Sequence, residues 1–322
     1  MPCLISIWFR FLFNALLVTF AGCLLASCQH RPSPEIHPEK NFTPKVILWD
    51  SLSKMAISPE MEEAVVKAQT NYQEDTTDLH AIIWYGRRLA YAHRFEEAID
   101  IYSRGIILHP EAPELYRHRG HRQITLRRFP AAVQDLEKAA LLAHGKPMQI
   151  EPDGKPNKLN IPLSNLHFNI YYHLGLARYL SGSFSTAKDA LIESLGYADN
   201  EDLRVAAVYW LVLCNLQMNQ PKEVAHWLSK VHPDMEIIEN QAYYEQLLFF
   251  KNPTAHELMI LSDTSQTIDP TRYYGISLWQ ESAGKKALAA RLRRQIVNSP
   301  TWTYFGYIAA EADSARLIRN KY

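Results

Sequence analysis

His118 and His121 stand three residues apart in the run Arg117-His118-Arg119-Gly120-His121, with His167 and His173 farther along the chain. On a helix that spacing puts both imidazoles on one face, where neutral ring nitrogens could hold zinc. A zinc site needs more ligands than two, and no carboxylate or cysteine completes a set. His118 and His173 also take the same place in a repeating pattern as Trp84, which reads as a packing position. No metal is expected. Other chemistry is no better served, because the chain has no G-x-S-x-G, no H-E-x-x-H and no glycine-rich phosphate loop. The acid pairs Glu62-Glu63 and Glu96-Glu97 read as solvated helix faces. Lys plus Arg and Asp plus Glu number 34 each, so the basic run from Arg117 to Arg128 is one helix of a balanced protein and nucleic acid is not an expected partner. These absences predict a binding protein without cofactor or catalytic residues.

Three of the four cysteines, Cys3, Cys23 and Cys28, lie in an apolar N-terminal stretch, which leaves no pair for a structural disulfide, and Cys214 reads as a buried apolar filler. Arg10 precedes the apolar run Phe11 to Leu25, the pattern of an export signal. The run closes on Leu25-Ala26-Ser27-Cys28, which resembles the bacterial lipobox and implies acylation of Cys28 after removal of residues 1–27. Phe20-Ala21-Gly22-Cys23 is a second, poorer match, and an uncleaved membrane helix is the other reading of the segment. Gln29 after the cysteine favours the outer membrane of the bacterial envelope. Residues 28–45 carry Pro32, Pro34, Pro38 and Pro44 and read as a tether, which at about 3.1 Å per residue would hold residues 46–322 off the lipid surface.

The elements that must position any ligand come from a repeat. The chain has 322 residues, 47% of them hydrophobic, enough for an extended core. Gly86, Gly120, Gly175, Val212 and Gly275 are each followed twelve residues later by Ala98, Ala132, Ala187, Val224 and Ala287. Small side chains on two successive helices let their axes approach closely. Four residues beyond come Tyr102, Leu136, Leu191, Leu228 and Arg291, of which only the last breaks an apolar stripe. Ile82-x2-Tyr85-Gly86-x2-Leu89 with Ala98-x3-Tyr102 and Pro110 resembles the tetratricopeptide repeat, and Gly86 and Gly120 are 34 residues apart, that family's period. The resemblance covers about residues 79–316 and implies an all-α right-handed superhelix of five to six hairpins. A leading helix is expected over 58–73, a degenerate hairpin near 238–251 and 254–262, and a capping helix over 302–318.

In that family the first helices of successive hairpins line a concave groove. The resemblance therefore implies a ligand surface from His80, Arg87, Tyr91, Arg117, His121, Tyr172, Tyr179, Tyr209, Arg272 and Trp279, with Gln217 and Gln280 beside them. Arginines fork onto carboxylates and rings cover apolar groups, which suits a protein or peptide segment of acidic character. The insertion 144–164, where Gly120 and Gly175 stand 55 residues apart, reads as an ordered flap beside the groove. Glycan binding is the alternative. A flat ledge of Trp279, Tyr172 and Tyr209 rings would favour sugar, and arginines dominating the pocket would favour peptide.

Overall fold

The computed structural model describes residues 57–152, 157–253 and 268–319. The expected signal segment, Cys28, the tether and the helix expected over 254–262 lie outside these residues. The described residues form thirteen helices: α1 (Pro59–Glu74), α2 (Leu79–Tyr91), α3 (Phe95–Leu108), α4 (Pro113–Thr125), α5 (Phe129–Ala143), α6 (Leu166–Leu180), α7 (Phe184–Leu195), α8 (Glu201–Gln217), α9 (Pro221–Leu228), α10 (Gln241–Lys251), α11 (Pro270–Ser282), α12 (Lys286–Val297) and α13 (Phe305–Arg319). Among them no helix is long and apolar enough to cross a membrane.

The helices begin where short polar side chains satisfy the first free amides. Ser58 accepts from Met61 N at 3.3 Å, with Pro59 in the first turn of α1. Asp78, Asn165, Asn200 and Asp269 do the same for α2, α6, α8 and α11. Each of these four opens the first helix of a hairpin. A second device joins the paired helices. Seven residues after Gly86, Gly120, Gly175, Val212 and Ser277 stand His93, Arg127, Gly182, Asn219 and Gly284, all with positive φ (60°, 61°, 88°, 54° and 80°). The next residue donates its amide back five places, as in Arg94 N to Leu89 O at 2.9 Å and Arg128 N to Gln123 O at 2.8 Å. This left-handed helix end reverses the chain within a few residues.

Those turns correct the register of the last hairpin. The spacing rule placed Gly275, Ala287 and Arg291 at the crossing, yet Ala287 and Arg291 are exposed. Ser277 and Ala289, also twelve apart, are the fully buried small pair, and Arg293 takes the place four residues on. The earlier crossings behave as expected. A Cβ on Gly86 would stand 2.4 Å from the Tyr102 ring, and one on Gly175 would stand 2.6 Å from Leu191 Cγ. Gly275 instead faces Gln246, Phe250 and Tyr209, which belong to α10 and α8.

Helix α13 does more than cap. It packs on the last hairpin, with Tyr307 donating its hydroxyl to Val297 O at 3.0 Å. It also returns to the turns of the earlier hairpins. Trp302 meets Phe95 edge-on at 5.6 Å, and Arg127 donates to Glu311 at 2.7 Å and to Trp302 O at 2.9 Å. Farther along, Arg316 donates to Leu180 O at 2.8 Å and lies over the Phe184 ring, while Gln217 reaches Asp313 at 3.1 Å. The C-terminal helix is thus a crossbar over the turn ends of the first four hairpins.

Candidate functional site

A cavity of about 410 Å³ lies inside the curl, against the first helices of the early hairpins. Arg87 and Tyr91 enter it from α2, and Arg117, His118, His121 and Arg122 from α4. Phe168, Asn169 and Tyr172 come from α6. Three other pieces close it: Glu151, Pro152, Leu163 and Ser164 from the insertion, Tyr243 from α10, and Phe305 from α13.

The insertion is held by a short antiparallel contact, with Glu151 N donating to Ser164 O at 2.9 Å and Leu166 N to Gln149 O at 2.8 Å. That contact buries the Glu151 carboxylate beside the α4 cations. Arg117 Nη2 lies 3.1 Å from Glu151 Oε1, and Asn169 Nδ2 donates to Oε2 at 2.9 Å. Arg117 Nη1 donates to His118 Nδ1 at 2.9 Å, so His118 carries its proton on Nε2, which faces Glu151 at 3.5 Å. His173 Nδ1 donates to Asn169 O at 2.6 Å, fixing a second neutral imidazole. Burial, joined by the arginine charges, holds His118, His121 and His173 well below the usual imidazole range.

The charges do not balance. Arg87 donates to Pro152 O at 2.7 Å and lies over the Trp84 ring, neither of which neutralises it. Arg122 makes no ion pair or hydrogen bond through its guanidinium among the described residues, and rests over the Phe95 ring at 5.6 Å. Burial pulls its pKa down to about 10, and the neighbouring Arg117 and Arg87 press the same way. Arg117 Nε is buried without a partner. The one buried carboxylate among the described lining residues is Glu151. Three guanidinium groups therefore face one buried acid, with Glu239 at the exposed edge of the lining, an arrangement that favours an anion.

Of the residues implied by the resemblance, Arg87, Tyr91, Arg117, His121 and Tyr172 meet in this cavity. The others do not. Tyr179 and Tyr209 are fully buried, their hydroxyls engaged with Tyr274 at 2.6 Å and with Thr271 O at 2.9 Å. They left the groove because α11 and α13 cover the inner side of the middle hairpins, so α8 is buried on nearly all faces. Gln280 is also buried, and Gln217, half-buried, is engaged with Asp313. Arg272 pairs with Glu245 beside Asp269, and Trp279 packs against Phe249 and Phe250. His80 accepts from Trp84 Nε1 at 2.8 Å in a separate depression between α1 and α2. With Tyr209 fully buried, Tyr172 nearly so and Trp279 packed on Phe249 and Phe250, the three rings proposed as a sugar ledge form no exposed ledge.

His118, Arg122, Glu151, Asn169, Tyr243 and Phe305 were not singled out from the sequence as ligand residues. The signal for the first two was the i, i+4 pairing of Arg117 with His121 and of His118 with Arg122, inside a basic run read only as one helix of a balanced protein. Among the described residues no group of three or more His, Cys, Asp or Glu is placed to hold a metal ion.

Hairpins crossing at small pairs and left-handed turns at a fixed offset define an all-α helical solenoid that resembles the tetratricopeptide arrangement, with its last helix laid beside a cationic cavity. No protein-family model matches the chain, and no curated protein matches it. Several solved structures are similar to parts of the chain. A crystal structure of MamA is 15% identical over 53% of this chain and 80% of its own, with a TM-score of 0.42. YrrB, described as a TPR protein with an unusual peptide-binding site, is 13% identical over 78% of this chain and 100% of its own, with a TM-score of 0.42. A structure of Naa15/Naa10 bound to HypK-THB is 12% identical over 78% of this chain and 36% of its own, with a TM-score of 0.35. At these values the likeness carries no argument about site or partner.

Proposed function

We propose that this protein is a non-catalytic binding scaffold of the bacterial envelope, anchored through an acylated Cys28 at the outer membrane, that captures an acidic protein or peptide segment. The observation that carries the reading is the convergence of Arg87, Arg117 and Arg122 on a cavity with a single buried acid, Glu151. Guanidinium forks recognise carboxylates through two parallel hydrogen bonds, and the surrounding rings receive the apolar part of the segment. The glycan reading is less well supported, because Trp279, Tyr172 and Tyr209 form no common ledge and arginines dominate the pocket.

The test uses the full chain purified in detergent and fluorescent peptides rich in Glu and Ala, beside the same peptides with Gln for Glu. Acidic peptides are expected to bind at least about tenfold more tightly than their Gln forms, a difference of ~1.4 kcal/mol. Arg122→Met should abolish the preference and Arg272→Ala, outside the cavity, should leave it intact. Equal binding of the two peptide series, or equal loss in both variants, removes the reading. For the anchor, metabolic labelling with an alkynyl fatty acid should mark the wild type and not Cys28→Ala. A label that survives the substitution assigns the lipid elsewhere, and an unlabelled wild type removes the anchor.

A further inference from the structure

The cavity that would take the acidic segment is small and walled by several elements, which limits the part of any ligand that can enter it. Phe305 stands 5.5 Å from the His121 ring and 5.9 Å from that of His173, so the first turn of α13 forms one wall. Opposite it the other walls are tied in place. Pro152 O accepts from Arg87, Leu163 O accepts from Asn200 Nδ2 at 2.7 Å, and Asn240 N donates to Asp202 at 2.7 Å. Tyr243 bonds to the Tyr172 hydroxyl at 3.3 Å, which Trp210 Nε1 also reaches at 3.1 Å. What remains is a chamber of about 410 Å³, toward the small end of the roughly 300–1,000 Å³ that small-molecule pockets span.

The interior chemistry has two halves. On one side are unmet donors: Arg117, only 8% exposed, has its Nε unpartnered, and the Arg122 guanidinium has no acceptor among the described residues. Around them the rings of Tyr91, Phe168, Tyr172, Tyr243 and Phe305 supply flat apolar surface. A ligand that satisfies both halves carries one carboxylate, bonded by the two arginines, and one planar ring set among the aromatic walls.

We infer that the chamber binds a free, small aromatic carboxylic acid, which competes there with the acidic segment of the protein partner. This rests on the reading of the cavity as the anion site that an acidic segment also enters.

Calorimetry and thermal melts of the full chain in detergent, with 4-hydroxybenzoate as the probe, test the inference. The acid is expected to bind, to raise the melting temperature and to displace the acidic peptide, with 4-hydroxybenzamide, succinate and inorganic phosphate each at least about tenfold weaker. Arg122→Met should lose the response while keeping its helical circular dichroism. If that variant fails to fold, Arg122→Lys keeps the charge without the fork and should weaken the acid by about tenfold. Equal binding of acid and amide, equal binding of succinate or phosphate, or an undiminished response in a folded Arg122→Met chain overturns the inference. Peptide binding without competition by the acid overturns it while leaving the protein-partner reading standing. Acid binding without any acidic-peptide binding does the reverse.

Discussion

Two buried polar clusters sit in one solenoid and differ in whether their charges close. Around Asp313 they do: Tyr274 donates to it at 2.9 Å and Gln217 at 3.1 Å, Arg316 pairs with it, and Arg293, itself paired with Glu281, approaches at 3.8 Å. Around Arg117 they do not, since Glu151 pairs with Arg117 alone, Arg87 and Arg122 have no ion pair among the described residues, and the nearest histidines are held neutral. A closed network fixes one helix against its neighbours, and α13 is the helix it fixes. An open one keeps unmet donors facing a chamber, which marks a place for a ligand.

That contrast is most sharply tested by deleting its centre. Asp313→Leu leaves Arg293 buried without its nearby acid and releases Gln217 and Tyr274, so urea unfolding should show a loss of roughly 3–5 kcal/mol. A loss under 1 kcal/mol would mean that the network is ornamental and that apolar packing alone seats α13.

Acidification acts on the other cluster. The folded pKa values of His118 and His173 lie below the unfolded value near 6.5, so the unfolded chain takes protons first. Their contribution is fully present above pH 6.5 and is lost as the pH falls below it, at about 1.4 kcal/mol per pH unit for each histidine. Melts between pH 7.5 and 5.5 should show this fall, and His118→Gln, which still offers Arg117 an acceptor, should make it shallower. An unchanged slope in that variant would show that His118 does not stay neutral.

Two smaller effects separate backbone from charge. Gly182 has φ +88° with Arg316 Cδ 3.2 Å from where its Cβ would stand, so Gly182→Ala should cost about 1–2 kcal/mol in denaturant titration. Arg122→Met removes a charge that nothing neutralises and should raise stability by on the order of 1 kcal/mol. Destabilisation by Arg122→Met would show that its cation is already compensated and would weaken the case for the chamber.

The amino-acid sequence by itself determined the hairpins, because the small pairs such as Gly86 with Ala98 and the caps Asp78, Asn165 and Asn200 act within one repeat. It placed five groove residues in one cavity for the same reason, since Arg87, Tyr91, Arg117, His121 and Tyr172 share the inner face of consecutive first helices. The register of the last hairpin was also written in the chain, in the left-handed Gly284 seven residues after Ser277, though the louder Gly275–Ala287 pair concealed it. Only the tertiary structure decided the rest. Glu151 reaches Arg117 across 34 residues, and Arg127 reaches Glu311 across 184, through contacts that leave no periodic trace. Side-chain period reports which face of a helix is covered by its neighbours in sequence. Whether that face is then covered again by a helix from the far end of the chain depends on how far the solenoid curls, which is why Tyr179 and Tyr209 became core and Arg122 was left lining a cavity.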